Sequence, residues 1–180
     1  MKQRHDRAVL TGGPGVGKST LLAALALRDV GVFPEAARAI LQLPTGMTMR
    51  VEQPQDFALA MLEADICAWE GASAGVSIYD RGFPDIVGFL ELEGLPVPNQ
   101  LDRACREQLY NGPIFRASPW HEIYATDAER TQDWNQAVAS DEAVTSAWKR
   151  YGYRLIDLPQ ISVIQRANFV MRQVAEEFDQ

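Results

Sequence analysis

The stretch Gly12-Gly13-Pro14-Gly15-Val16-Gly17-Lys18-Ser19 decides the fold of this chain. It matches the pattern GxxxxGK[ST], and its flanks are those that the pattern requires. The apolar run 8–11 before it predicts a buried strand, and the run 20–27 after it predicts a helix. A strand, a glycine-rich turn and a helix in this order predict a Walker A loop that binds the phosphates of a nucleoside triphosphate.

The chemistry of this loop indicates which groups would hold the phosphates. The glycines allow backbone N–H groups to converge on an anion, and the following helix directs the positive end of its dipole to the same place. Lys18 is expected to meet the β- and γ-phosphates, and the Ser19 hydroxyl to bind Mg²⁺. The expected nucleotide is ATP, with GTP as the alternative. The predicted nucleotide-binding residues are Gly12, Gly13, Gly15, Val16, Gly17, Lys18, Ser19 and Thr20.

Composition restricts the class of protein. The 180 residues, 47% of them hydrophobic, predict a single P-loop NTPase domain over 1–180. A net charge of −7 disfavours a nucleic-acid partner. No apolar run reaches the ~20 residues of a membrane span and no secretory leader precedes the first strand, so we expect a cytoplasmic protein without a transmembrane segment. Cys67 and Cys105 lack metal-ligand spacing, and we interpret both as buried apolar residues.

The rest of the chain alternates strand-like and helix-like segments. Four more short apolar runs predict strands, at 30–33, 76–79, 114–117 and 153–156. Apolar residues recur at three- and four-residue intervals in between and predict helices over 59–69, 144–151 and 163–174. This alternation predicts an α/β fold of three layers, α/β/α, around a mainly parallel five-stranded sheet. Segment 43–50 has no period and is predicted to be a mobile loop over the site.

Ligands of open α/β sheets bind beyond the carboxyl ends of the strands, so the residues there are candidates for chemistry. Glu35 and Arg38 follow the second predicted strand, and Asp80 and Arg81 follow the third. Glu35 is expected to accept a proton from an acceptor hydroxyl or to hold a metal-bound water, and Asp80 to bind Mg²⁺. Arg38 and Arg81 are expected to bind the acceptor. The alternatives are a surface ion pair at a helix start and a helix-capping aspartate.

A polar segment, roughly 119–135, follows the fourth strand and is predicted to form a lid. Phosphoryl transfer requires positive charge on the moving γ-phosphate, which an arginine on a closing segment supplies. Arg130 is the candidate, and Arg116 is the fallback. His121, a lone histidine beside a tryptophan, is interpreted as structural.

Five stretches together carry a resemblance to a known family. They are TGGPGVGKST (11–20), FPEAARAIL (33–41), IYDRGFPDIVGFL (78–90), WHEIYATDAERTQDW (120–134) and YGYRLIDLPQISVIQRANFV (151–170). With them the chain resembles the small P-loop ATPase domains grouped as AAA-like or NadR/Ttd14-like, relatives of nucleoside and nucleotide kinases. The resemblance implies a nucleoside-kinase-like fold with a lid. It also implies that Lys18 and Ser19 serve phosphates and Mg²⁺, that Asp80 and Arg81 lie at the metal and the acceptor, and that Arg130 lies in the lid.

Two hypotheses for the function stay open. The first is a Mg·ATP-dependent kinase that transfers the γ-phosphoryl group to a small nucleoside-like acceptor, with Lys18, Glu35, Asp80 and Arg130 as catalytic residues. The second is a nucleotide-gated binding protein or slow ATPase or GTPase, whose bound state orders 43–50 and the lid for a partner or lipid. A Ras-like GTPase is disfavoured because no NKxD motif occurs. An AAA+ motor is disfavoured because Asp80 precedes an arginine where a glutamate is expected.

Overall fold

A sheet of five parallel strands lies at the centre of the molecule, in a computed structural model that describes residues 5–124 and 133–178. The strands are β1 (His5–Thr11), β2 (Gly31–Phe33), β3 (Gly75–Asp80), β4 (Ile114–Arg116) and β5 (Leu155–Asp157). Their order across the sheet is β2-β3-β1-β4-β5, and each neighbouring pair is parallel. The predicted α/β fold with five strands is confirmed.

Eight α-helices connect and cover these strands within the described residues. They are α1 (Lys18–Leu25), α2 (Ala36–Leu41), α3 (Gly46–Glu52), α4 (Pro54–Gly71), α5 (Phe83–Leu92), α6 (Asn99–Glu107), α7 (Trp134–Arg150) and α8 (Val163–Phe178). A short 3₁₀ turn spans His121–Ile123. None of the helices in the described ranges has the length and apolar character that crossing a membrane requires.

The sheet separates two hydrophobic cores, because alternate residues of a strand point to opposite faces. On one face Val9 and Tyr79 pack with α4, α5 and α7, where Trp148 is fully buried. On the other face Leu10 and Ile78 pack with the apolar sides of α1 and α8. The carboxyl ends of β1 and β3 lie side by side between these cores, with Leu10 in register with Asp80. The P-loop and the residues after β3 are thereby brought to one edge of the sheet.

Two expectations from the sequence are wrong. The segment predicted to be a mobile loop, 43–50, enters helix α3 at Gly46. Seven residues make only two turns, which is too short for an apolar period to show. A hydrogen-bonded ion pair between Arg50 and Glu93, 2.9 Å long, joins α3 to the end of α5. Cys67, interpreted as buried, is exposed on α4, whereas Cys105 is buried as expected.

Candidate functional site

The P-loop, residues 12–19, joins β1 to α1 in a conformation that depends on its glycines. Gly12, Gly15 and Gly17 have φ angles of 126°, 73° and 79°, which side-chain-bearing residues rarely adopt. A Cβ atom at Gly12 would also lie 2.3 Å from the Ala117 carbonyl oxygen at the end of β4. Backbone conformation and close packing therefore both require glycine in this loop.

Lys18, the first residue of α1, folds back over the P-loop. Its side chain is only 6% exposed, and Nζ donates hydrogen bonds to the carbonyl oxygens of Gly12, at 3.0 Å, and Gly13, at 2.5 Å. Burial lowers the Lys18 pKa to about 8, and the positive charge of Arg81 contributes to this shift. The ammonium group therefore stays charged at neutral pH, within a loop whose shape suits an anion.

Arg81 connects the P-loop with two carboxylates. Its Nε donates to Glu35 Oε1 at 2.7 Å, and its Nη1 donates to the Gly12 carbonyl oxygen at 3.0 Å and to Asp85 Oδ1 at 3.1 Å. Arg81 is the one described residue other than glycine with a positive φ, 76°. This backbone conformation costs about 1 kcal/mol or more and persists only where the surroundings enforce it. The turn after β3 thus holds one guanidinium against both the loop and the carboxylates.

Asp85, in the first turn of α5, supports Arg81 from the protein interior. Its Oδ1 accepts a hydrogen bond from the Thr11 hydroxyl at 2.7 Å, and its Oδ2 accepts from Trp148 Nε1 at 2.9 Å and from the Gly82 N–H at 3.1 Å. A buried carboxylate is stable when donors and a cation satisfy it in this way. The orientation of Arg81 is therefore linked to β1, α5 and α7.

Charge around Glu35 keeps its carboxyl group ionised. Burial acts to raise the pKa of Glu35, but the charges of Arg81 and Lys18 outweigh burial, and the pKa is lowered. The Arg81 pKa is raised because the neighbouring Glu35, Asp85 and Asp80 outweigh its burial. Glu35 thus presents a carboxylate, which accepts hydrogen bonds, beside the P-loop.

Asp80 and Ser19 fit the requirements of a magnesium site. Asp80 Oδ1 is buried without a hydrogen-bond partner among the described residues, and burial raises the Asp80 pKa to about 6 despite Lys18 nearby. Asp80 and Ser19 line one small pocket, with Glu35 and Arg38. In the described ranges no group of three or more His, Cys, Asp or Glu forms a metal site. Mg²⁺ at phosphates is typically bound by one or two protein carboxylates together with phosphate oxygens and waters, so Asp80 and Ser19 would hold the ion only together with the phosphates.

A cleft of about 630 Å³ opens beside the P-loop between α3, α4, α5 and α7. Its apolar wall includes Phe57, Met61, Ile86 and Phe89, and its polar wall includes Glu35, Arg38, Asp65 and Arg81. The first group offers ring faces and thioether surface, and the second group offers hydrogen-bonding side chains. A small molecule with a ring and hydroxyl groups fits such a cleft.

Asp65, on α4, is a polar group of this cleft that the sequence analysis did not single out. It forms no hydrogen bond or ion pair with another described residue. Burial raises the Asp65 pKa to about 8, and the carboxylates of Asp85 and Glu35 add to the shift. Asp85 was also missed as a site residue. In the sequence, an aspartate three residues after Gly82 indicates only a residue that caps helix α5, which Asp85 does by accepting a hydrogen bond from the Gly82 N–H.

The other predicted residues have different surroundings. Arg38 lies half-buried on α2 and lines the same cleft. Arg116, the fallback arginine, is paired with Asp141 at 2.5 Å and with Asp157 at 3.2 Å, so its charge is already compensated. Exposed His121 contacts the Trp134 ring edge-on. Arg130 lies outside the described residues, together with the rest of 125–132 in the predicted lid, 119–135.

A sequence model of the AAA domain family matches residues 7–166, which include the P-loop and the ends of β2, β3 and β4. This chain belongs to the AAA domain family. The match confirms the resemblance found in the sequence. A search of curated proteins finds no relative of this AAA domain.

Solved structures with the fold of this AAA domain include a deoxyadenosine kinase from M. mycoides. Its structure with the products dCMP and a flexible dCDP bound has a TM-score of 0.70 and 13% identity, and the alignment covers 94% of this chain and 98% of that chain. The structure of the same kinase with bound dATP has a TM-score of 0.65 and 14% identity, and the alignment covers 92% of this chain and 97% of that chain. The likeness at this identity shows the fold, a P-loop NTPase fold like that of nucleoside kinases.

Proposed function

We propose that this AAA domain is a kinase that transfers the γ-phosphoryl group of Mg·ATP to a hydroxyl group of a small, nucleoside-like acceptor. The observation that carries the proposal is the position of Arg81. One guanidinium contacts the P-loop at Gly12 and the carboxylates of Glu35 and Asp85 at the cleft. Phosphoryl transfer needs a donor site and an acceptor site that meet at such a positive charge.

On the donor side, Lys18 and the P-loop N–H groups bind the β- and γ-phosphates. The lysine exchanges its hydrogen bonds to the Gly12 and Gly13 carbonyl oxygens for phosphate oxygens. Ser19 and Asp80 would hold Mg²⁺, which neutralises negative charge on the phosphates when bound. We assign ATP as the donor and the cytoplasm as the place of the reaction.

On the acceptor side, Glu35 orients the attacking hydroxyl group by accepting its hydrogen bond. The acceptor oxygen bonds to the γ-phosphorus as the bond from that phosphorus to the β–γ bridging oxygen breaks, and ADP leaves. The hydroxyl proton passes to the Glu35 carboxylate. Arg81 holds Glu35 in position through its 2.7 Å hydrogen bond and offers charge to the moving phosphoryl group. Arg38 and, from the lid, Arg130 are assigned to the acceptor and to the transferred group.

The acceptor class follows from the walls of the cleft. Phe57 and Phe89 contact each other edge-to-face, with ring centroids 5.7 Å apart, and Met61 and Ile86 line the same cleft. Such surfaces stack on or enclose a planar ring. The similar deoxyadenosine kinase, described with dCMP, dCDP and dATP, supports a nucleoside as the acceptor.

The proposal is tested by a thermal-shift panel of the purified protein against ATP, GTP, deoxyadenosine, deoxycytidine and nicotinamide riboside, each with Mg²⁺. A ligand that binds the native state raises the melting temperature. A kinase is expected to be stabilised by a triphosphate and, in addition, by one nucleoside. No stabilisation by any triphosphate would contradict the proposal.

A nucleotide-gated binding protein is the second candidate, and one observation favours it. Met47 and Val51 on α3 and Leu92 on α5 line the cleft, yet they are 59%, 71% and 46% exposed. Exposed apolar side chains around one opening are typical of a surface that meets a partner. Stabilisation by a triphosphate alone, with no response to any nucleoside, would favour this candidate over the kinase.

A further inference from the structure

Arg166 is a buried cation in the first turn of α8, and neither function above uses it. The residue is only 5% exposed. Nη1 donates a hydrogen bond of 3.2 Å to the Val16 carbonyl oxygen of the P-loop. Nε is buried and has no hydrogen-bond partner among the described residues. A guanidinium has five N–H donors, and a single carbonyl oxygen satisfies one of them.

The charge of Arg166 lacks a compensating carboxylate within the described residues. Burial lowers its pKa, and no acidic group in the described part of the chain acts in the opposite direction. Arg81 and Arg116, the other two arginines at the loop and strand ends, are each paired with two carboxylates. A buried charge without a partner destabilises a fold strongly, so its presence requires a reason.

The position of Arg166 indicates what the missing partner is. Nη1 lies 3.2 Å from the place where a Cβ atom of Gly17 would be, directly before Lys18. Ile123 Cδ1 is 3.3 Å from the same place, and the Trp120 ring centroid is 5.9 Å from the guanidinium carbon. The cation thus lies against the P-loop, where the proposed ligand is a polyphosphate. A planar guanidinium matches two phosphate oxygens through parallel hydrogen bonds.

We propose that Arg166 binds a phosphate oxygen of the donor nucleotide, which supplies the negative charge that the unliganded fold lacks at this position. This inference rests on the nucleotide-binding part of the proposed function and not on transfer to an acceptor. It makes α8, the last helix, part of the donor site.

The test compares Arg166→Met and Arg166→Lys with the wild type, and Arg172→Met serves as the matched control. Arg172 is an exposed arginine on the same helix, six positions later. Isothermal titration calorimetry measures the affinity of each protein for Mg·ATP, Mg·ADP, AMP and adenosine. Urea unfolding without nucleotide measures the stability of each protein.

We expect Arg166→Met to lower Mg·ATP and Mg·ADP affinity about ten- to a hundredfold, the range that follows from losing a charge-assisted hydrogen bond. Adenosine affinity should not change. Arg166→Lys should recover part of the loss, and Arg172→Met should bind as the wild type does. The unliganded Arg166→Met protein should be as stable as the wild type or more stable, because an uncompensated buried charge has been removed.

Other results would overturn the inference. Unchanged Mg·ATP affinity in a folded Arg166→Met protein would show that the arginine does not contact the nucleotide. Lower stability without nucleotide, with equal losses for ATP and adenosine, would show that Arg166 only supports the loop through Val16. If the wild type binds ATP but phosphorylates no acceptor, the kinase proposal fails and this inference stands. If the wild type binds no nucleotide, both fail.

Discussion

Charged side chains within hydrogen-bonding reach of one another determine what single residues do at this site. Arg81 forms ion pairs with Glu35 and Asp85, while Lys18 donates hydrogen bonds to the loop carbonyl oxygens. Lys18 donates to these carbonyl oxygens and to no carboxylate among the described residues, so its charge is available to an incoming anion. Removing Lys18 and removing Arg81 should therefore have different effects on nucleotide binding.

Lys18→Ala is expected to reduce Mg·ATP affinity at least a hundredfold, since it removes the cation that meets the β- and γ-phosphates. Calorimetric titration measures the change. Lys149→Ala, which alters an exposed lysine on α7, is the control and should bind ATP normally. Wild-type affinity in the Lys18→Ala protein would refute the assignment of the loop.

Asp65→Asn should alter the dependence of stability on pH. The pKa of Asp65 is raised from 3.8 to about 8 in the native protein, so the native state retains a proton that the unfolded chain releases. The stability from this carboxyl group is present below pH 4 and is lost as the pH rises through 8. Asparagine does not titrate. The melting temperature of Asp65→Asn minus that of the wild type should therefore be higher at about pH 8.5 than at about pH 5.

The control for this measurement is Glu63→Gln, an exposed carboxylate on the same helix. Its melting temperature should differ little from that of the wild type at both pH values, because exposed charges contribute little to stability. If the melting temperature of Asp65→Asn differs from that of the wild type by the same amount at both pH values, the Asp65 carboxyl group has an ordinary pKa.

At the scale of helices and strands, close packing of α5 on α7 positions Asp85. A Cβ atom at Gly88 would lie 2.8 Å from the backbone N and Cα atoms of Val144. Backbone atoms cannot rotate away as a side chain can, so Gly88→Ala must separate the helices. We expect a loss of about 1 to 3 kcal/mol in the free energy of unfolding, measured in urea. Gly71→Ala, with open space around it at the end of α4, should be neutral or stabilising by up to ~1 kcal/mol.

Trp148 links three elements through its indole N–H. This group donates to Asp85 Oδ2 on α5 at 2.9 Å and to the Thr11 hydroxyl on β1 at 3.1 Å. Trp148→Phe keeps a ring but removes a donor from a buried carboxylate, and should cost about 1 to 3 kcal/mol in urea unfolding. Trp69→Phe is the control, because the Trp69 Nε1 is buried without a hydrogen-bond partner among the described residues. Equal losses for the two variants would show that ring packing, and not the hydrogen bonds, explains the effect.

The elements were predictable from the sequence where their signal is local. Five short apolar runs in the sequence predicted the five strands. Helix α3 was missed because two turns hold too few residues to show a period. Strand ends also placed Glu35 and Arg81 together, since parallel strands end at one edge of the sheet.

The rest of the candidate site depends on contacts between distant parts of the chain. Asp85 receives its donor from Trp148, 63 positions later, and Arg166 reaches Val16 across 150 positions. Asp65 lies in the middle of α4 and belongs to no motif that singles it out in the sequence. No periodicity or spacing in the sequence predicts these long-range contacts, so they are seen only in the folded structure.

In the molecule as a whole, the order of the strands brings the ends of β1, β2 and β3 to one edge of the sheet, beside the cleft. The P-loop comes from β1, Glu35 follows β2, and Arg81 follows β3. A nucleotide on the loop and an acceptor in the cleft would therefore meet at Arg81. The order of the strands, more than any single motif, makes transfer between two bound molecules geometrically feasible.

The most direct test of this account measures ADP formation and acceptor phosphorylation together, with Mg·ATP and each nucleoside of the panel, for the wild type and Glu35→Gln and Arg81→Ala. The account predicts that one nucleoside stimulates ADP formation and becomes phosphorylated in equal amount. Both variants should lose this activity about a hundredfold or more while they still bind Mg·ATP. ADP formation that no nucleoside stimulates, or that persists unchanged in Glu35→Gln, would contradict the account.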